Sequence, residues 1–269
     1  METNQIISFF LAILVGVTLG LVGSGGSILT VPILVYVVGI NPVLATAYSL
    51  FVVGSSALVG GMKKAKENLI DFRMVTIFGI PAVISVFVTR KWILPNIADP
   101  VFGFNNFVVS KSLLLMILFA IVMILAAFTM IKPRKENLEK IENSKKINYF
   151  LILILGSSIG LLAGLVGAGG GFLIIPALVI LAKMPMKTAV GTSLFIIALQ
   201  SLIGFLGDSS VGKSMDWSFL LLFTLFSVMG IFIGDYLSKK INGSKLKTGF
   251  GWFVLAMGIY IILKELAFS

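Results

Sequence analysis

The sequence predicts an all-α polytopic membrane protein made of two related halves, and three observations carry that prediction. Of 269 residues, 58% are hydrophobic and 12% charged, with a mean hydropathy of +1.09. Soluble domains hold about 45–50% apolar and about 25% charged residues. A glycine-rich stretch inside apolar sequence occurs twice, Gly20 to Pro32 and Gly164 to Pro176, 144 residues apart. Finally, the Lys and Arg behind the net charge of +10 fall almost entirely in short loops between apolar runs. Membrane orientation explains that placement better than a nucleic-acid patch does.

Composition also excludes chemistry. With no Cys and no His, disulfides, thiolate nucleophiles and the commonest proton shuttle and metal ligand are missing. Metalloenzyme and thiol-transfer readings fall away, and no cofactor is implied. The N-terminus, Met1 to Gln5, has no positive n-region and the first apolar run no clear cleavage site, so it reads as a retained first helix.

In chain order, the first apolar segment runs from about Gln5 to Val22, just long enough to cross a bilayer. After the glycines, Ile28 to Gly39 is too short for a comfortable span and suits a half-helix or re-entrant segment. Asn41-Pro42 reads as N-cap and N1 of a helix running to about Gly61. Asp71 caps a helix from about Phe72 to Trp92. The mixed segment 95–108 is a loop that places Phe102, Phe104 and Phe107 in the interface, and 109–131 is the next span. The charged stretch 132–146 links the halves. The plan then repeats: Tyr149 to Val166, the second glycine cluster, Phe172 to Ala182, a helix from Pro185 to about Leu206, one capped by Asp216-Trp217 to about Leu237, and a last span from Gly249 to Leu266. Ala45, Ser49, Leu50 and Phe51 match Ala189, Ser193, Leu194 and Phe195 at the same spacing.

The basic loops 62–68, 132–146 and 239–247 are placed in the cytoplasm. One crossing away, 208–215 is then outside, although it is the repeat mate of 62–68. The halves therefore face opposite ways, as inverted-topology repeats do: 1–131, the cytoplasmic linker 132–146, and 147–269, with about eight to ten transmembrane segments in all. Arg90 and Lys91 fall on the outer side, against the pattern.

Glycine clusters followed by proline break a helix, and a break in hydrocarbon is tolerated where it lines a polar cavity. Backbone N–H groups at a half-helix start supply donors to an oxyanion, helped by the positive end of the dipole. The competing reading is close helix packing, which Gly16/Gly20, Gly156/Gly160/Gly164 and Gly230/Gly234 fit well. Polar side chains within apolar runs are Thr46, Ser49, Ser55, Ser56, Thr192, Ser193 and Gln200. A Ser or Thr there also satisfies its own helix carbonyl or a neighbouring helix. The expected substrate-binding set is Ser24, Gly25, Gly26, Ser27, Ser49, Gly169, Gly170, Gly171, Thr192, Ser193 and Gln200. Asp235 reads as the i,i+4 partner of Lys239. Asp71 and Asp216 read as N-caps, and Arg73 and Arg90 as interface anchors or anion-steering charges. No mid-membrane proton relay is visible.

At the paired Gly-Leu-x-Gly-x-Gly-Gly motifs, the Ala-x-x-x-Ser-Leu-Phe echoes and the Asp-aromatic pairs, nearly the whole chain resembles the sulfite exporter TauE/SafE family of permeases. The resemblance implies movement of small sulfur-containing anions such as sulfite or organosulfonates, often as export. The first copy departs from the second: Ser24 and Ser27 stand where Ala168 and Gly171 do. The expected function is a permease working by alternating access where the two broken segments meet. Its expected partners are a small anion and the lipid bilayer, with a coupling ion and a second copy of the chain admitted and nucleic acid not. A glycine-lined channel, an intramembrane enzyme and a non-transporting scaffold are the alternatives. No nucleophile or metal constellation supports the enzyme, and a scaffold has no use for two polar breaks.

Overall fold

The computed structural model describes residues 3–23, 26–104, 107–131, 149–180, 182–208, 215–238 and 243–267. The expected linker 132–146, Ser24, Gly25 and Lys239 lie outside these residues. The helices are α1 (Thr3–Val22), α2 (Ser27–Val37), α3 (Pro42–Lys66), α4 (Phe72–Asn96) and α5 (Lys111–Ile131). They continue as α6 (Tyr149–Val166), α7 (Gly171–Ile180), α8 (Met186–Gly207), α9 (Trp217–Ser238) and α10 (Gly243–Ala267). A short antiparallel hairpin, β1 (Phe102–Phe104) with β2 (Phe107–Val109), fills the expected loop between α4 and α5, and Phe102 is exposed there.

Among the described residues, six helices are long and apolar enough to cross a membrane: α3, α4, α5, α8, α9 and the Thr248–Ala267 part of α10. Three shorter apolar helices, Ile7–Val22, Ser27–Val37 and Phe150–Val166, accompany them. The chain is an all-helical polytopic membrane protein apart from the hairpin. Its outer faces carry exposed Phe10, Leu125, Phe128, Phe150, Leu221 and Leu263, a surface that suits lipid.

Local chemistry sets the helix starts. Asn41 Oδ1 accepts from the Val43 N–H at 2.9 Å with Pro42 in the first turn. Asp71 Oδ1 accepts from the Arg73 and Met74 N–H groups at 2.9 and 3.2 Å, and Asp216 Oδ1 from Phe219 at 3.0 Å. α3 extends past Gly61 to Lys66, where Lys63, Lys64 and Lys66 occupy its last turn, at the negative end of the dipole. α4 continues past Trp92 through π-helical turns at Val75–Gly79 and Thr89–Ile93.

Glycines decide which helices meet. α1 and α9 run parallel: Gly16 faces Ser227, Gly20 faces Ile231 and Asp235, Gly230 faces Ile13 and Gly234 faces Val17. α6 and α4 do the same through Gly156 on Phe78, Gly160 on Ala82 and Gly164 on Thr89. α3 crosses its mate α8 antiparallel, with Gly204 on Leu50, Gly54 on Leu202, Gly61 on Phe195 and Gly191 on Lys64 and Leu69. α5 crosses its mate α10 antiparallel, with Gly258 near Ala120 and Gly251 near Met130 and Ile131. One buried apolar cluster draws on α1 to α4 and α6 to α9, and a second joins α5 and α10 to α2 and α7.

Candidate functional site

Both helix breaks are built alike. Gly23 and Gly167 close the preceding helix with N–H bonds to Leu19 O (2.8 Å) and Ala163 O (2.9 Å), at φ +78° and +73°. That left-handed conformation is open to glycine and strained for other residues. Downstream, the Ile40 N–H donates to Leu34 O at 2.9 Å, and 144 residues later the Met184 N–H donates to Leu178 O at 3.2 Å. The sequence reading of two matched breaks is what the backbone does.

The breaks sit at opposite ends of the α3/α8 pair. Gly23 packs on Val190, at the start of α8, and Gly167 on Thr46, at the start of α3. These contacted residues are themselves repeat mates. Gly26 folds back onto Val15, Thr18 and Leu19 of α1, and Ser27 is fully buried. The second cluster reaches inward: a Cβ on Gly169 would stand 2.8 Å from Ser201 Oγ and 3.2 Å from Val53. Gln200 Nε2 donates to Gly169 O, and a Cβ on Gly170 would stand 3.3 Å from that nitrogen.

Along α3, Thr46 and Val53 touch Gly167 and Gly169, and Ser49 lies between them on the same helical stripe. Ser49 is fully buried and its Oγ has no hydrogen-bond partner. The same is true of Ser201 Oγ and Gln200 Oε1. Buried polar groups in membrane proteins are almost always satisfied, so a group of orphans beside one helix break calls for a ligand or water.

Thr192 and Ser193 are not part of this group. Thr192 Oγ1 accepts from the Asp71 N–H at 3.0 Å, and Ser193 Oγ donates to its own helix carbonyl at Val190, 2.9 Å. Both lie beside Gly191, which packs on Lys64 and Leu69, whereas Ser49 adjoins Leu50, which packs on Gly204. At 1.5 Å per residue those two levels of α8 are about 20 Å apart. Ser49 and Ser193 therefore occupy opposite ends, because antiparallel mates carry equivalent residues to opposite faces.

Two charged residues differ from their sequence reading. Arg90 is not a headgroup anchor: it is fully buried in a π-helical turn of α4, and its Nη1 donates to Asp208 Oδ2 at 2.8 Å and Thr46 Oγ1 at 3.0 Å. Asp235 is held across the molecule, with Lys63 Nζ at 2.5 Å and Lys64 Nζ at 2.7 Å. Sequence reasoning missed Arg90, Asp208 and Ser201 as site residues. The signal for Arg90 was its departure from the basic-inside pattern. Among the described residues no cluster of three Asp or Glu could hold a metal.

The sequence model of the family described as "Sulfite exporter TauE/SafE" matches residues 8–261. A probable membrane transporter protein of Xylella fastidiosa is 29% identical over 262 residues, covering 94% of this chain and 93% of that protein. A probable membrane transporter protein of Bacillus subtilis is 28% identical over 278 residues, covering 95% of each. No solved structure matches. With both helix breaks and the paired motifs inside the matched region, this multi-pass protein of the cell membrane belongs to the sulfite exporter TauE/SafE family of membrane transporters.

Proposed function

We propose that the protein is a permease, not an enzyme, and that it carries a small sulfur-containing anion out of the cell by alternating access. The observation that carries this reading is the second helix break, where Ser49, Ser201 and Gln200 present buried polar atoms without protein partners beside Gly167 to Gly170. The Ser49 and Ser201 hydroxyls can donate to an oxyanion leaving water, whereas Gln200 Oε1 only accepts. The glycine backbone at the start of α7 adds N–H groups and the positive end of a helix dipole. The first break supplies the matching surface, with Gly26 and Ser27 described and Ser24 and Gly25 completing its motif.

Two halves, 1–131 and 147–269, fit an inverted repeat about the 132–146 linker. The antiparallel packing of α3 on α8 and of α5 on α10 supports opposite orientations for mates, with the lysine-rich end of α3 in the cytoplasm. Ion pairs between the halves at both ends, Arg90–Asp208 and Lys64–Asp235, suit a carrier that opens one side at a time. A channel would have no use for two such closures. A coupling ion and a homodimer remain compatible with this arrangement.

The test is a thermal-shift series on the purified protein with sulfite, thiosulfate, sulfoacetate, taurine and simple carboxylates. Stabilisation by the sulfur anions above the carboxylates is expected, because a ligand that binds only the folded state raises its stability. Stabilisation by carboxylates alone, or by nothing in the series, overturns the substrate class.

A further inference from the structure

We infer that Arg90 is the charged anchor of the anion site and that Asp208 tunes it toward singly charged oxyanions. This rests on the permease reading and deepens it. The guanidinium of Arg90 is wholly buried, and its hydrogen bonds use one nitrogen: Nη1 serves both Asp208 and Thr46. Nε and Nη2 have no partner. Those two nitrogens form one of the edges with which an arginine binds two oxygens of a carboxylate, sulfonate or phosphate side by side. An unused bidentate edge in a dry interior is costly, and an oxyanion is the ligand that matches its two parallel donors.

The surroundings place Arg90 at the glycine break. Thr46, which Nη1 holds, is the residue on which Gly167 packs, and Thr89, the neighbour of Arg90, packs on Gly164. One turn along α3 from Thr46 comes the orphan hydroxyl of Ser49, and across the break that of Ser201 faces Gly169. Arg90, Ser49 and Ser201 thus come from α4, α3 and α8 and converge on one motif. Ser and Thr hydroxyls add donors without adding charge.

The charge count sets selectivity. Asp208 already neutralises Arg90, and Lys111, within electrostatic range of both, already has Asp99 as its own counter-charge. One added negative charge is then uncompensated, and a second costs far more in a low-dielectric interior. The bound head is therefore a monoanion, a sulfonate or a hydrogen-bearing oxyanion, in preference to a dianion of the same shape.

The test uses the full-length protein in nanodiscs and measures thermal shifts with methanesulfonate, sulfate and chloride. Wild type is expected to bind methanesulfonate more tightly than sulfate. Arg90→Lys is expected to weaken methanesulfonate at least about tenfold, since an ammonium cannot reproduce the bidentate edge. Ser49→Ala and Ser201→Ala, which leave the ion pair intact, are expected to weaken it about threefold to tenfold. Asp208→Asn, which leaves one positive charge in excess, is expected to narrow the preference for methanesulfonate over sulfate. If Arg90→Lys fails to fold, the two serine variants and the sulfate preference decide. Methanesulfonate binding that Arg90→Lys or both serine variants leave unchanged overturns the inference while the permease reading stands. A wild-type preference for sulfate overturns the charge argument, and a wild type that binds neither anion overturns both readings.

Discussion

Lys64 and Asp208 are 144 residues apart, the spacing of the glycine motifs, and Arg90 and Asp235 are 145 apart, as Asp71 and Asp216 are. These are two sets of repeat mates, each with its charge reversed between the halves. Each residue pairs with the other half: Lys64 at the end of α3 with Asp235 in α9, and Asp208 just past α8 with Arg90 in α4. The surroundings differ. The Arg90–Asp208 side chains are 0% and 4% exposed. At the other end Lys63 is 37% exposed, Lys64 13% and Asp235 6%, and Asp235 borders a shallow cleft lined also by Gly20, Gly60 and Leu194. The two ends therefore carry one fully enclosed clasp and one two-lysine clasp that is open through Lys63.

The largest effect that sharpens this contrast is at the enclosed clasp. Arg90→Met or Asp208→Leu alone leaves a buried charge without its partner and is expected to cost about 3–5 kcal/mol, while the double change recovers most of that loss. Lys64→Met leaves Lys63 on Asp235 and is expected to cost less, because the buried carboxylate keeps a counter-ion. Reversible unfolding in mixed micelles measures all four variants. Equal losses for Arg90→Met and Lys64→Met would erase the distinction between the ends.

A smaller effect separates the two parallel helix contacts. A Cβ on Gly16 would stand 1.9 Å from the Ser227 carbonyl oxygen, a backbone atom of α9 with little freedom to move. A Cβ on Gly164 would stand 2.7 Å from Thr89 Cβ, a milder overlap although no rotamer change moves that atom. Gly16→Ala is expected to cost about 1–3 kcal/mol, the range for overpacking, and Gly164→Ala less. The same unfolding experiment ranks them, and a larger loss at Gly164 would contradict the geometry.

Much of this arrangement was legible in the sequence, for reasons that differ by residue. The breaks at Gly23 and Gly167, the caps Asn41, Asp71 and Asp216, and the helix starts follow from local backbone chemistry, which a sequence displays directly. Gly169, Gly170 and Gln200 were found because glycine runs and a lone amide are conspicuous in apolar surroundings. The partner of Arg90 and the cross-molecule lysines of Asp235 were hidden because they are far away in the chain. Lys64 precedes Asp235 by 171 residues and Arg90 precedes Asp208 by 118, and only the antiparallel crossing of α3 and α8 brings such residues to one end. The separation of Thr192 and Ser193 from Ser49 was hidden for the same reason, since repeat mates share a local environment but not a face.

The smallest expected effect concerns the first turns of α3 and α8, where the mates diverge. Asn41 caps α3 through its side chain, whereas Pro185 stands at the same place before α8 with no side-chain cap. Asn41→Ala is expected to cost about 1 kcal/mol, the usual worth of such a cap. The reverse experiment is more informative. Pro185 has φ −57° and ψ 141°, and Asn41 has φ −52° and ψ 135°, so an asparagine fits at 185 without strain and can reach the second N–H of α8. The cap it adds is worth about 0.5–1 kcal/mol. Losing proline frees the unfolded chain and gives back about 0.4–1 kcal/mol. Pro185→Asn should therefore leave stability within about 0.5 kcal/mol of wild type while Asn41→Ala loses twice that. A loss at Pro185→Asn as large as that at Asn41→Ala would mean that the proline does more than start a helix.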